Sequence, residues 1–468
     1  MIDKAQLMAQ LPKRRWFGGK GRTLQGLQVL DHVVIDATEP VLIVAVAQVD
    51  FDDGGAELYH LPLLVGPDGA TRDAFDDVSR LAVIGELMAH GATIAGRAGS
   101  FHFGGPGLDP LSPPGKGGVR AVGAEQSNTS LVLDNEVFVK FFRRVEVGEN
   151  PDLELNRLLT NEGFEFVPPH VGEIVYERSD EDGSSIDLAF AQRFVADGVD
   201  GWKDAVSHLR RLYDAVGDAP IEEGSIGEHA GRTLTALEEL GDVIASLHVL
   251  LSREELEVEL APEQAEHSDL KSWGESARDA LHRLVARGVD GIDDLVPAIE
   301  SRIDLLEGLP DAGLKTRIHG DLHLGQVMRV PRGWLVTDFE GEPARPLEER
   351  RAKHSPLKDA AGMVRSFAYA ATAALFERGA PGESEWRRLE PWARAWEEAA
   401  RDRFLAAYLR TSHEGHFLPA DRDAINVLLH FFEIDKALYE IGYELSHRPA
   451  WVGVPLHGIS RALEREGP

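Results

Sequence analysis

His319-Gly320-Asp321-Leu322-His323-Leu324-Gly325-Gln326, followed twelve positions after Gln326 by Asp338-Phe339-Glu340, is the stretch on which the reading of the fold turns. One carboxylate in a polar turn, Asp321, can take the proton of an acceptor hydroxyl. A second, Asp338, can hold magnesium on a nucleotide. Gln326, five residues beyond Asp321, stands where a second metal ligand is expected. The spacing predicts phosphoryl transfer, with Asp321 catalytic and Gln326 and Asp338 on Mg2+. Thr316-Arg317-Ile318 leads into the first loop and Trp334-Leu335-Val336-Thr337 into Asp338, so both acidic residues are expected at the ends of short strands.

Around this β platform the pattern is helical. Residues 231–253, 268–287, 359–378, 383–409 and 421–445 repeat apolar side chains at intervals of three and four. That is the make-up of a kinase-like large lobe, expected over 201–468. Upstream, Ser130-Leu131-Val132-Leu133 and Glu136-Val137-Phe138-Val139-Lys140-Phe141-Phe142 flank Asp134-Asn135, a connection that favours a tight hairpin. Asn150-Pro151-Asp152 starts a helix carrying Glu154. Lys140 and Glu154, fourteen residues apart, have the order of a phosphate-binding lysine and the carboxylate that orients it. Gln126, Ser127, Asn128 and Thr129 lie in a polar turn that could cover nucleotide phosphates or be an ordinary hydrogen-bonded loop. Residues 186–195 read as the last strand of a small lobe, with backbone groups from Gln192 to Phe194 facing an adenine edge and a hinge near 192–196. This small lobe is expected over 111–200.

Ahead of it, β-branched runs at 27–35, 41–49 and 58–65 suggest an antiparallel meander, followed by helical spacing from 72 to 90. The Gly- and Pro-rich 104–118 stretch reads as a mobile linker that closes a first region, 1–110. The whole is expected to be α+β: a bilobal protein-kinase-like fold with an antiparallel β-rich N-terminal cap and a mainly helical C-lobe.

Composition limits the partners. A chain of 468 residues is long enough for two or three substructures, and its formal charge of -30 argues against nucleic acid or an acidic membrane surface. There are no cysteines, which removes disulfides, thiolate nucleophiles and cysteine-bound zinc. Neither a signal segment nor an apolar window of spanning length is seen, and a cytoplasmic protein is expected. His319, Asp321 and His323 alternate and could bind a transition metal, but no further histidine cluster supplies the remaining ligands. His319 is read as a buried imidazole that holds the loop.

Near the C-terminus Lys436, Tyr439, Glu440 and Tyr443 recur at helical spacing and form a polar-aromatic face. Such a face suits a sugar, with rings on its C–H surface and charged ends on its hydroxyls, or it is a surface helix with paired ions. Arg448 and Trp451 would complete a pocket.

Several segments together resemble the maltokinases: Glu125-Gln126-Ser127-Asn128-Thr129-Ser130, Asn150-Pro151-Asp152-Leu153-Glu154-Leu155-Asn156, the 319–326 loop and Asp338-Phe339-Glu340-Gly341-Glu342-Pro343. Arg15-Trp16-Phe17-Gly18-Gly19-Lys20-Gly21-Arg22 and the segment from Lys436 to Trp451 look similar too. The resemblance implies relation to the aminoglycoside phosphotransferases, an added N-terminal cap, and transfer of phosphate from ATP with Mg2+ to the anomeric hydroxyl of maltose for α-glucan synthesis. It implies that Lys140 binds phosphate and Glu154 fixes it, with the sugar met by His323, Glu340, Lys436, Tyr439, Glu440, Tyr443, Arg448 and Trp451. Related enzymes phosphorylate glucosamine, and some maltokinases associate with trehalose synthase. A catalytically silent sugar-binding pseudokinase is the alternative of another class.

Overall fold

Apolar alternation near the N-terminus yields three long antiparallel strands, Leu24–Asp36, Val41–Phe51 and Ala56–Val65. The middle strand is buried on both faces because successive side chains point opposite ways. Leu42, Val44 and Val46 enter one core, whereas Ile43, Ala45, Ala47 and Val49 enter a second with Leu7, Trp16 and Phe17. This computed structural model describes residues 2–105, 118–123, 127–179, 183–217, 220–222, 224–343 and 345–465. Gln126 and most of the expected 104–118 linker lie outside the described residues.

By internal packing the chain forms two units: Met1–Ala196 with Pro343–Leu347, and Asp197–Glu342 with Glu348–Pro468. Regions 1–110 and 111–200, expected to be separate, share the first unit. Its second sheet has seven strands among the described residues, in the order Thr93–Ala95, Gly99–Gly104, His170–Arg178, Ser185–Arg193, Val137–Phe142, Asn128–Leu133, Val119–Val122. Two strands from the first 110 residues thus form one side of the small-lobe sheet. In return, Arg144–Val145 pairs with Tyr59 and Leu58 of the cap. Arg143 is fully buried between them, its guanidinium 4.0 Å from the Trp16 ring centroid and ion-paired with Asp73. The hairpin at Asp134-Asn135 has both residues at positive φ, 49° and 58°, as a type I′ turn requires. Its ladder resumes at the Leu133–Val137 pair, leaving three residues in the loop rather than two.

The second unit is mainly helical. Small three-stranded and two-stranded sheets, Val199–Asp200 with Val327–Val330 and Gly333–Val336, and Glu263–Gln264 with Leu314–Lys315, form its β platform among the described residues. Helix Leu357–Phe376 is buried along nearly its whole surface, as expected of an element at the centre of a lobe. Gly362 in it faces the 319–326 loop: an added Cβ would come 2.6 Å from the Leu322 carbonyl oxygen. No helix of the described residues is long and apolar enough to cross a membrane.

Candidate active site

In the second unit the 319–326 loop is held from below by one buried carboxylate. Asp359, in the first turn of Leu357–Phe376, accepts from the His319 N–H at 2.7 Å and the Gly320 N–H at 2.9 Å. His248 Nε2 lies 3.2 Å from the same group, and His248 Nδ1 is 2.8 Å from the Tyr408 hydroxyl. Burial alone would raise the Asp359 carboxyl, but the bond and charge of His248, His319 and the Gly320 N–H together hold it below its ordinary value. His319 itself is buried. Its Nε2 bonds the Thr337 carbonyl at 3.0 Å and its Nδ1 accepts from the Asp321 N–H at 3.4 Å, which ties the loop to the residue before Asp338.

A second tie runs through Gln326, whose carbonyl accepts from the Thr337 N–H at 2.9 Å. The backbone thereby brings Gln326 beside Asp338. Asp338 is left-handed, φ 69°, a conformation that aspartate tolerates better than most residues. Gly320 and Gly341 also have positive φ, and a Cβ on Gly320 would meet the Gly341 Cα at 3.3 Å, so the two loops approach more closely than side chains would allow. Carboxylate oxygens of Asp338 and Glu340 lie within 4.8 Å of one another. Two carboxylates make an oxygen donor set, which suits magnesium. His319 has both ring nitrogens engaged, which weakens a transition-metal reading. Glu340, expected on the sugar, therefore stands as a further oxygen donor beside Asp338.

His323 caps the turn Leu324–Gln326, its Nδ1 accepting from the Gly325 N–H at 2.9 Å. Burial holds the ring below its ordinary pKa, so it serves as a neutral acceptor here. Lys436, from helix Arg422–His447, places its Nζ 2.9 Å from Asp321 Oδ1 and 2.9 Å from Glu342 Oε1. Burial would discharge this amine, but the two carboxylates raise its pKa instead. The ammonium also sits 4.9 Å from the Tyr439 ring centroid. Glu440 is bound by Arg365 at 2.7 Å, and Glu444 by Arg448 at 2.6 Å. Arg448 covers Tyr443 and Trp451, at 5.9 and 4.7 Å from their centroids. Six residues expected to meet the acceptor thus form one connected face of this unit, tied through Lys436 to the 319–326 loop. Glu342, Asp359 and Arg365 were passed over in the sequence. Glu342 stood inside a quoted motif, whereas the other two are single polar residues on an apolar helix with no local signal.

In the first unit Lys140 is buried in strand Val137–Phe142, and its Nζ donates to Asp152 Oδ2 at 2.7 Å. Asp152 is the second residue of helix Pro151–Asn161, and its other oxygen accepts from Asn156 at 2.9 Å. The sequence pointed to Glu154, two residues further on, a spacing that turns the two carboxylates to different sides of the helix. Asn128 and Thr129 belong to a strand paired with Phe142 and Phe141, not to a turn, while Ser127 lies in the bend before it. The Phe194 N–H, expected to meet adenine, already donates to the Glu136 carbonyl at 2.8 Å. Gln192 is buried in the sheet, paired with His170 and Phe138.

Residues 11–94 match the family described as the maltokinase N-terminal cap domain. A glucosamine kinase of Mycolicibacterium smegmatis is 28% identical over 352 residues, covering 74% of this chain and 80% of the relative. A glucosamine kinase of Streptacidiphilus jiangxiensis is 27% identical over 348 residues, covering 72% of each. Among solved structures, a glucosamine kinase in complex with glucosamine, ADP and inorganic phosphate superposes with a TM-score of 0.70 at 21% identity, covering 98% of both chains. Another crystal form of glucosamine kinase reaches 0.73 at 21% identity, covering 99% of both. That likeness shows the fold, and the cap match identifies residues 11–94 as similar to a maltokinase N-terminal cap domain.

Proposed function

We propose that this chain is an ATP-dependent sugar kinase that phosphorylates maltose at its anomeric hydroxyl. The observation that carries the choice of acceptor is the pairing of the carboxylates on the acceptor face. Asp321 and Glu342 share Lys436, Glu440 holds Arg365, and Glu444 holds Arg448. An amino sugar needs a carboxylate for its ammonium, and here the four carboxylates already contact three cations of the chain, Asp321 and Glu342 sharing one, which favours a neutral, hydroxyl-rich acceptor. Tyr439, partly exposed, offers an aromatic ring for it.

In this reading the acceptor hydroxyl gives its proton to Asp321 as its oxygen bonds the γ-phosphorus. The bond from that phosphorus to the β–γ bridging oxygen breaks and ADP leaves. Asp338, Gln326 and Glu340 would hold Mg2+, which neutralises charge on the transferring phosphoryl group. Lys140, fixed by Asp152, would bind nucleotide phosphate.

Glucosamine is the second reading, favoured by the names of the relatives at 28% and 27% identity. An assay of ADP release over maltose, glucose and glucosamine separates the two. Maltose-dependent turnover is expected, with Asp321→Asn lowering kcat by about 10²–10⁴. Turnover with glucosamine alone would replace the first reading by the second, and saturable sugar binding without turnover would favour a pseudokinase.

A further inference from the structure

Tyr369 follows Arg365 by one helical turn on Leu357–Phe376 and is 9% exposed. Its hydroxyl oxygen is closed to solvent and has no hydrogen-bond partner among the described residues. Around it stand residues of the acceptor face. The Trp451 ring lies nearly parallel to the tyrosine ring, at 15° and 6.2 Å, and the Arg365 guanidinium is 5.9 Å from its centroid. Glu440, Glu444 and Arg448 all act on it electrostatically, and burial, the largest influence, keeps the phenol protonated.

A buried hydroxyl without a partner costs about 1–3 kcal/mol, and phenylalanine would fill the same space without that cost. Orphaned groups of this kind in folded proteins call for a missing partner. The Trp451 ring that lies against the Tyr369 ring belongs to the short turn Pro449–Trp451, whose first two residues are exposed. Arg448, leading into it, is tied to the helix by its pair with Glu444, and Trp451 by ring contacts to Tyr369 and Phe376. Such a turn can shift without unfolding a helix.

We propose that the Tyr369 hydroxyl is a specificity group of the acceptor site, which hydrogen-bonds a sugar hydroxyl once the Pro449–Trp451 turn moves aside. The inference rests on reading the Lys436–Trp451 segment as the acceptor face. A neutral phenol both donates and accepts, which matches a sugar hydroxyl, and the neighbouring charges are already paired. Trp451, released from Tyr369, gains a free face for the sugar ring.

The test is Tyr369→Phe in the full chain, assayed on whichever of maltose and glucosamine the wild-type enzyme turns over. KM for the sugar is expected to rise about 5- to 10-fold, the loss of one neutral hydrogen bond, with kcat changed less than twofold. The ligand-free melting temperature is expected to stay or rise, because the orphaned hydroxyl is gone. Titration with the sugar alone should weaken by the same factor. An unchanged KM overturns the proposal, as does a fall in melting temperature with KM and kcat declining together, which marks a structural role. Turnover of glucosamine instead of maltose would sink the maltose reading and leave the KM comparison on glucosamine to decide Tyr369.

Discussion

The carboxylate 2.7 Å from Lys140 belongs to Asp152, and both groups are almost wholly buried. Breaking a buried ion pair by removing one partner costs about 3–5 kcal/mol. Asp152→Asn is therefore expected to lower unfolding stability by about 2–4 kcal/mol and to raise KM for ATP at least 10-fold, whereas Glu154→Gln should change both less. Urea unfolding and ATP kinetics on the two variants check this, and equal effects would remove Asp152 from the role. In the sequence, a lysine followed by an acidic residue on the next helix was legible. The contact with Asp152 was not, because Asp152 and Glu154 differ by half a turn and strand-to-helix geometry decides how each meets the lysine. Likewise Asp321, Gln326 and Asp338 stand out as candidates by spacing, but the bond from Lys436 to Asp321 spans 115 residues and no local pattern carries it.

The start of helix Pro151–Asn161 depends on a group from a neighbouring strand. Asn150 caps the helix through its side chain, and its own N–H donates to Asp187 Oδ2 at 2.7 Å. Burial, reinforced by Glu149 and Glu173 against the pull of the Asn150 N–H and Arg157, pushes the Asp187 carboxyl up to about 7. A carboxyl raised in the folded state binds its proton there while the unfolded chain has lost it, so this contribution to stability is full below about pH 4 and is lost as pH rises towards 7. Asp187→Asn is expected to flatten that decline, with a gain over wild type of up to about 2–4 kcal/mol at pH 8 and little at pH 4. Denaturation curves at both pH values measure it, and parallel curves for the two proteins would exclude Asp187 as the source. Among elements, long strands and helices were legible because their apolar periods are long. The polar run at Ser127-Asn128-Thr129 was not, since those residues suit turns by propensity and the ladder to Phe141 and Phe142 overrides it.

The cap and the small lobe are one folded body at the scale of the whole molecule. Strands Thr93–Ala95 and Gly99–Gly104 complete the small-lobe sheet, Arg144–Val145 completes the cap sheet, and Arg143 is paired with Asp73 across them. A fragment spanning 111–468 would expose the side of strand His170–Arg178 and leave the Arg143 charge buried without its carboxylate. It is expected to lose the cooperative thermal transition of the full chain, as followed by circular dichroism. A fragment that melts cooperatively and still binds ATP would refute the shared core. The sequence suggested a border near residue 110 because glycine and proline cluster there, yet such clusters mark any long connection, including one inside a domain. Exchange of strands between distant segments leaves no mark in composition.

That exchange bears on how such enzymes can be recombined. A graft that swaps caps between this chain and a relative at the glycine-rich stretch would cut through both sheets and mismatch the Arg143–Asp73 pair, whereas a crossover at Ala196/Asp197 carries both cores across intact. The transferable module is the cap together with the small lobe, and inheritance of one without the other requires matched changes on both sides of Arg143.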